Sequence, residues 1–209
     1  MQKNNLIFII ISLAFLPIAY YGGTYIRNSI YGEKVQSPAA RSVSEVGDVI
    51  LTDHGGKPFQ FSNFGKEYLL VFFGYTHCPD FCPTALSDIT TAMKKMGPGA
   101  AEKVKIAFIT FDPKRDSAEQ LATYLKNFYP GIVGLTGTEE EIAAAASRFG
   151  TQYRVNQQTK SADGAKYDFE HSLSYFLVDA KGKIADIFRY SEGPEKLTEG
   201  LQKDLDKKS

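Results

Sequence analysis

The sequence predicts an α/β domain, a mixed sheet flanked by helices, with an N-terminal hairpin and a membrane anchor ahead of it. Three observations carry this. Two short, continuous apolar runs, YLLVFFGY (residues 68–75) and VKIAFITF (residues 104–111), read as strands buried on both faces. Segments with helical apolar spacing follow each of them. A late hairpin signal around Ala180-Lys181-Gly182 then adds antiparallel strands to the parallel ones.

The anchor comes first. Residues 4–26 (NNLIFIIISLAFLPIAYYGGTYI) carry no charge. Those 23 residues, as a helix rising about 1.5 Å per residue, span roughly 35 Å and so cross a hydrocarbon core of about 30 Å. Pro17 is a candidate kink. A cleaved signal peptide is the rival, since Lys3 precedes the apolar run, but no small-x-small cleavage site follows Pro17. No cysteine follows the run to make a lipoprotein anchor. The expected organisation is an uncleaved anchor over residues 1–26, a polar tether over 27–46 and a globular body over 47–209. Such an early apolar run leads the following domain out of the cytoplasm. With no Arg-rich transit peptide, that predicts a single-pass protein of the bacterial inner membrane, its body facing the periplasm.

Within the body, residues 47–64 hold two short apolar stretches about His54-Gly55-Gly56-Lys57, a hairpin. After the first buried strand, Leu86, Ile89, Met93 and Met96 recur at helical spacing and Gly97 supplies a stop. Ser117 and Gln120 form a capping box ahead of Leu121, Tyr124, Leu125 and Phe128. A brief strand is expected over residues 132–135. Thr138 and Glu141 form a second box ahead of Ile142, Ala145, Ala146 and Phe149, with Gly150 ending that helix. Residues 174–179 and 183–188 pair as the late hairpin, and Leu197, Leu201 and Leu205 mark a closing helix.

The 209 residues are 43% hydrophobic, enough for one domain with a sizeable core. The 24 basic and 24 acidic residues balance, and no basic stripe suggests a nucleic-acid partner.

The chemistry concentrates in GYTHCPDFCPTAL, which holds both cysteines, Cys78 and Cys82. Pro83 disfavours α geometry at Cys82 and itself suits the first helical position, so the helix is expected to begin at Pro83 with Cys82 at its cap. A helix start stabilises thiolates, the form that attacks disulfides and binds soft metals. A structural disulfide is the bland reading. Closing a five-residue loop constrains the unfolded chain by only about 2 kcal/mol. Helical Cβ atoms four apart also lie about 5–6 Å from each other, against about 3.8 Å in a relaxed disulfide. The pair is a poor staple.

A cysteine pair just after the first central strand puts the chain close to the thioredoxin plan, and a thiol–disulfide oxidoreductase is the stronger rival. Such proteins usually carry Cys-x-x-Cys and face it with a proline loop before a late strand. Here the spacer is three residues, and His171 stands where that proline would (YDFEHSLSYFLVD). An imidazole beside two thiolates is a Cys2His set. It suits Cu(I), an added oxygen or nitrogen ligand would complete a Cu(II) site, and zinc fits the ligand types while usually taking a fourth.

GYTHCPDFCPTAL, ITFDPKRDSAEQLATY and YDFEHSLSYFLVDAKGKI, in that order behind an N-terminal anchor, resemble the Sco (SenC) copper proteins. The resemblance covers residue 47 to about residue 188. It implies that Cys78, Cys82 and His171 bind copper, with the two cysteines also a redox couple. It further implies help in assembling the dinuclear copper centre of cytochrome c oxidase. The implied partners are that enzyme's copper-bearing subunit, a copper donor and a thiol reductant. Phe81, where smaller aliphatics are common, and the short DFEHS lead-in are departures that leave the three ligands in place.

Other residues have plainer readings. The His77 side chain is expected to leave the opposite face of the strand end from Cys78. His54 reads as a solvated turn residue, and Met93 and Met96 as core. Asp112 and Asp116 read first as a cap and turn, although Asp112 ends a central strand at the cysteine edge, where it would shape the site or partner docking.

Overall fold

The computed structural model describes residues 46–47, 49–156 and 167–207. The anchor expected over residues 1–26, and all of the tether but Val46, lie outside them. Among the described residues no helix is long and apolar enough to cross a membrane.

The first hairpin pairs β1 (Ile50–Asp53) with β2 (Pro58–Gln60). Its turn is built by Asp53, whose Oδ1 accepts the N–H groups of Gly55 at 2.9 Å and Lys57 at 2.8 Å. His54 is not the solvated residue expected. Its N–H donates to Gly134 O, and its Nδ1 accepts from Gly134 N, both at 2.8 Å. This reciprocal pair ties the hairpin to the strand carrying Gly134.

β3 (Tyr68–Gly74) is buried along its whole length, as a continuous apolar run requires. α1 (Phe81–Lys103) follows it, then β4 (Val104–Thr110), α2 (Ala118–Leu125), β5 (Ile132–Thr136) and α3 (Glu139–Arg148). α1 breaks at Gly97, which takes φ 79°, and resumes after Pro98. Ser117 caps α2 by accepting from Gln120 N, but only that half of the expected box forms. The Thr138–Glu141 box at α3 is complete.

Next come two short strands that the periodicity did not predict, β6 (Tyr153–Asn156) and β7 (Asp168–His171). They form a two-stranded sheet of their own, with Tyr153 opposite His171. β8 (Ser174–Asp179) and β9 (Ile184–Arg189) form the late hairpin, and α4 (Gly193–Asp206) closes the fold.

The main sheet has the order β2-β1-β5-β4-β3-β8-β9. β3, β4 and β5 are parallel, while β1 and β8 run antiparallel to their neighbours β5 and β3. Side chains alternate across it. Leu70, Phe72, Ile106 and Phe108 pack under α1, α2 and α4, whereas Leu69, Val71, Phe73, Ala107 and Ile109 pack under α3. Helices therefore cover both faces, as expected of the thioredoxin plan. Because Gly74 stands opposite Thr110 in the parallel register, the loops after β3 and β4 leave the sheet side by side. Open α/β sheets place their chemistry at that edge.

Candidate metal centre

Both cysteines follow β3 directly. Cys78 N–H donates to Tyr75 O at 3.3 Å, turning the chain toward α1. The helix starts two residues earlier than the proline suggested: Asp80 is the N-cap, and Cys82 lies in the first turn. Pro83 is tolerated there because the first N–H groups of a helix have no partner within it. One such group, Cys82 N–H, points at Cys78 Sγ at 3.4 Å.

The two sulfurs, both free thiols, are thereby made unequal. Cys78 is pulled down to about 6, first by the hydrogen bond from the Cys82 thiol. Burial opposes the shift, and the N–H groups of Cys82 and Asp80 and the Tyr75 hydroxyl assist it. Cys82 is pushed well above the usual thiol range, because it donates that bond and is fully buried. From the helix start alone, both cysteines are expected as thiolates. The structure gives that advantage to Cys78 alone.

Gly74 makes room for the inner sulfur. A Cβ at this position would lie 2.8 Å from both Cys82 Sγ and the Phe108 ring. No local pattern marks this glycine, which lies within the apolar run of residues 68–75, four residues before Cys78.

His171 ends β7. Its Nε2 lies 3.9 Å from Cys82 Sγ, and its Nδ1 lies 3.1 Å from Ser172 O. A carbonyl only accepts, so the proton sits on Nδ1 and Nε2 keeps its lone pair. Burial pushes the imidazole pKa down, favouring this neutral form. The rings of Phe111, 5.1 Å away, and Tyr75, 6.2 Å away, flank it.

The donor set fits a soft metal. Bonds of about 2.3 Å to sulfur and 2.0 Å to nitrogen, as in zinc sites, separate the two donors by roughly 3.7 Å at a trigonal angle. Cys82 Sγ and His171 Nε2 stand close to that separation. The third donor is not yet gathered with them: among the described residues no three His, Cys, Asp or Glu side chains are close enough together to hold an ion.

His77 turns toward Asp116, with Nδ1 3.4 Å from Oδ1 and 3.1 Å from Thr76 Oγ1. Asp116 is fully buried. It accepts from Thr76 N at 2.9 Å, from Thr76 Oγ1 at 2.6 Å and from Thr110 Oγ1 at 2.6 Å. It thus fixes the cysteine loop to the end of β4, a shaping role that the sequence reading had considered for Asp112. Asp112 holds the turn, its O accepting from Arg115 N and Asp116 N. Its carboxylate meets Arg115 Nε and, at 3.1 Å, the Tyr167 hydroxyl. A cavity of about 530 Å³, lined among others by Phe111, Asp112, Tyr153, Tyr167 and Phe169, opens beside it. Met93 is buried in the core and Met96 packs against it.

A family model described as SCO1/SenC matches residues 39–206. The chain belongs to the SCO1/SenC family. Among its SCO1/SenC relatives, the mouse mitochondrial SCO2 homolog is 32% identical over 163 residues, covering 76% of this chain and 62% of that protein. An SCO2-like protein of Rickettsia felis is 36% identical over 157 residues, 75% of each chain. The chain thus spans about three fifths of the mouse relative's length. The structure is similar to that of Bradyrhizobium japonicum ScoI with copper bound, at 34% identity and a TM-score of 0.65, covering 75% of this chain and 97% of that one.

Proposed function

We propose that this chain is a membrane-anchored copper metallochaperone that helps assemble the dinuclear copper centre of cytochrome c oxidase. Cys78, Cys82 and His171 are its copper ligands. The observation that carries the reading is the His171 Nε2 lone pair set 3.9 Å from Cys82 Sγ, with Nδ1 committed to Ser172 O. Copper-bound ScoI of Bradyrhizobium, a relative at 34% identity, supports the choice of metal. So does the chemistry, since two thiolates and an imidazole select Cu(I) among available ions.

Each ligand has its own task. Cys78, a thiolate near neutral pH, receives the ion first. Cys82 then releases its proton to solvent as it bonds, so uptake is coupled to proton release. His171, already near bonding separation from Cys82, completes the site with its neutral nitrogen. In this reading residues 1–26 anchor the protein in the bacterial inner membrane and the body faces the periplasm. The copper-bearing oxidase subunit receives the ion, and a donor protein and a thiol reductant supply the site.

A thiol–disulfide reductase is the second reading, favoured by the unequal sulfurs. A low-pKa Cys78 is built to attack a partner disulfide, and a protonated, buried Cys82 to resolve the mixed disulfide afterwards. Anaerobic titration with Cu(I) against a competing chelator tests the first reading. One equivalent is expected in the reduced protein and none held tightly by the disulfide form. Equal uptake by both forms would overturn it, and no uptake by either would leave the reductase.

A further inference from the structure

Resting on the copper reading, the geometry points to Tyr75 as the positioning residue that ties the cysteine loop to the strand bearing His171. We infer that its hydroxyl, bonded to Asp168, holds the imidazole in place over Cys82.

The need for such a tie follows from the topology. β6 and β7 form their own two-stranded sheet, so among the described residues no ladder joins them to the seven-stranded sheet that the cysteine loop leaves. In the main sheet, distances between strands are fixed by continuous backbone bonds. Between Cys82 and His171 the direct backbone link, among the described residues, is the short connection through Ser172 and Leu173 to β8, and the remaining contacts are made by side chains.

Tyr75 is placed to make them. It follows the last residue of β3, is 2% exposed, and accepts the Cys78 N–H with its own carbonyl at 3.3 Å. Its hydroxyl donates to Oδ1 of Asp168, the first residue of β7. The same Oδ1 accepts from Phe169 N at 2.9 Å, which locks the carboxylate to its strand. The Tyr75 ring packs against Phe169 with centroids 5.1 Å apart, and stands edge-on to His171 at 79°. One residue thus meets the cysteine loop through its backbone and, through its side chain, Asp168, Phe169 and His171 of β7. Phe111 also packs on His171, but apolar contact is non-directional, whereas a hydrogen bond fixes where β7 sits along the loop. Neither Tyr75 nor Asp168 is a ligand; Asp168 acts through His171 alone, while the Tyr75 hydroxyl also favours the Cys78 thiolate.

Tyr75→Phe keeps the ring and removes only the hydroxyl. In full-length protein in detergent, Cu(I) affinity is expected to fall about 10-fold to 100-fold, as for other partners that orient a ligand. Asp168→Ala removes the other half of the bond without touching Cys78 and is expected to lower affinity over the same range. In a His171→Ala background Asp168→Ala is expected to change nothing, which separates positioning from general loosening of the fold. A second readout needs no copper. Ring ¹⁵N resonances of His171 are expected to report one Nδ1–H tautomer in the wild type, and averaged or broadened signals in Tyr75→Phe and Asp168→Ala. Unchanged affinity and ring signals in both variants would overturn the inference, as would an Asp168→Ala loss that persists without His171. If the wild type takes up no copper, the copper reading fails and the ring signals still decide the role of Tyr75.

Discussion

The Nε2 nitrogen of His171 stands 3.9 Å from the sulfur of Cys82, 89 positions away in the chain. Their meeting depends on two separate frames. Cys82 is held by a helix start lodged against Gly74 in the central strand, and His171 by a small outlying sheet. This division sets which substitutions disturb the fold and which disturb the site alone.

Cys78 is expected to alkylate before Cys82, with a rate that climbs through a midpoint near pH 6, down from its ordinary 9.0. The folded state binds the Cys78 proton less tightly than the unfolded chain does. The thiolate's contribution to stability is therefore full above the unfolded pKa and lost as pH falls through about 6. Cys82 has the opposite sign: its contribution is full below the unfolded pKa and lost as pH rises through the raised folded value. Iodoacetamide labelling of reduced protein, read by mass spectrometry across pH, checks both. Faster labelling of Cys82 would contradict the assignment.

Gly74→Ala is expected to cost about 1–3 kcal/mol, the usual penalty for overfilling a packed core. Its new methyl group would press on Cys82 Sγ and the Phe108 ring, neither of which has open space behind it. Urea unfolding of reduced protein measures the loss. A variant as stable as the wild type would show that the sulfur is not seated on this strand.

Asp116→Ala strips the acceptor from three donors, Thr76 N–H and the hydroxyls of Thr76 and Thr110. A loss of at least about 2 kcal/mol is expected, since buried donors left without partners forfeit their solvation. The cysteine loop hangs from this carboxylate, so amide exchange at Thr76 and His77 is expected to accelerate more than exchange in β3. Uniform acceleration would assign Asp116 to global stability alone.

Residues 4–26 are expected to remain on the mature protein. N-terminal sequencing of the membrane fraction checks this, and a mature start beyond Ile26 would contradict it. External protease is expected to digest the body in spheroplasts, and protection there would reverse the orientation.

Much of this was legible in the sequence, for physical reasons. β3 and β4 announce themselves because strands buried on both faces need unbroken apolar runs, and α3 because both halves of its capping box are present. β6 and β7 gave no such signal. YRVN and DFEH are short, half-buried and mixed in polarity, so neither a two-residue nor a helical period shows. The start of α1 was misplaced by two residues because proline is tolerated throughout a first helical turn. His54 looked solvated between glycines because its partner, Gly134, lies 80 residues away. The cysteine spacing and the distant histidine pointed to one site. The roles of Gly74, Tyr75 and Asp168 depend on close approaches that no local pattern encodes.

In the proposed function His171 serves copper and not thiol exchange. The most direct measurement takes Cu(I) affinity and dithiol–disulfide cycling on the same purified His171→Ala protein. A three-donor site that loses its nitrogen keeps two thiolates and an open position, so affinity is expected to fall strongly. Exchange depends on the attacking thiolate, the leaving group and access, so cycling is expected to persist at a modestly altered rate. Copper affinity near that of the wild type, with cycling abolished, would contradict the ligand assignment and establish the reductase instead.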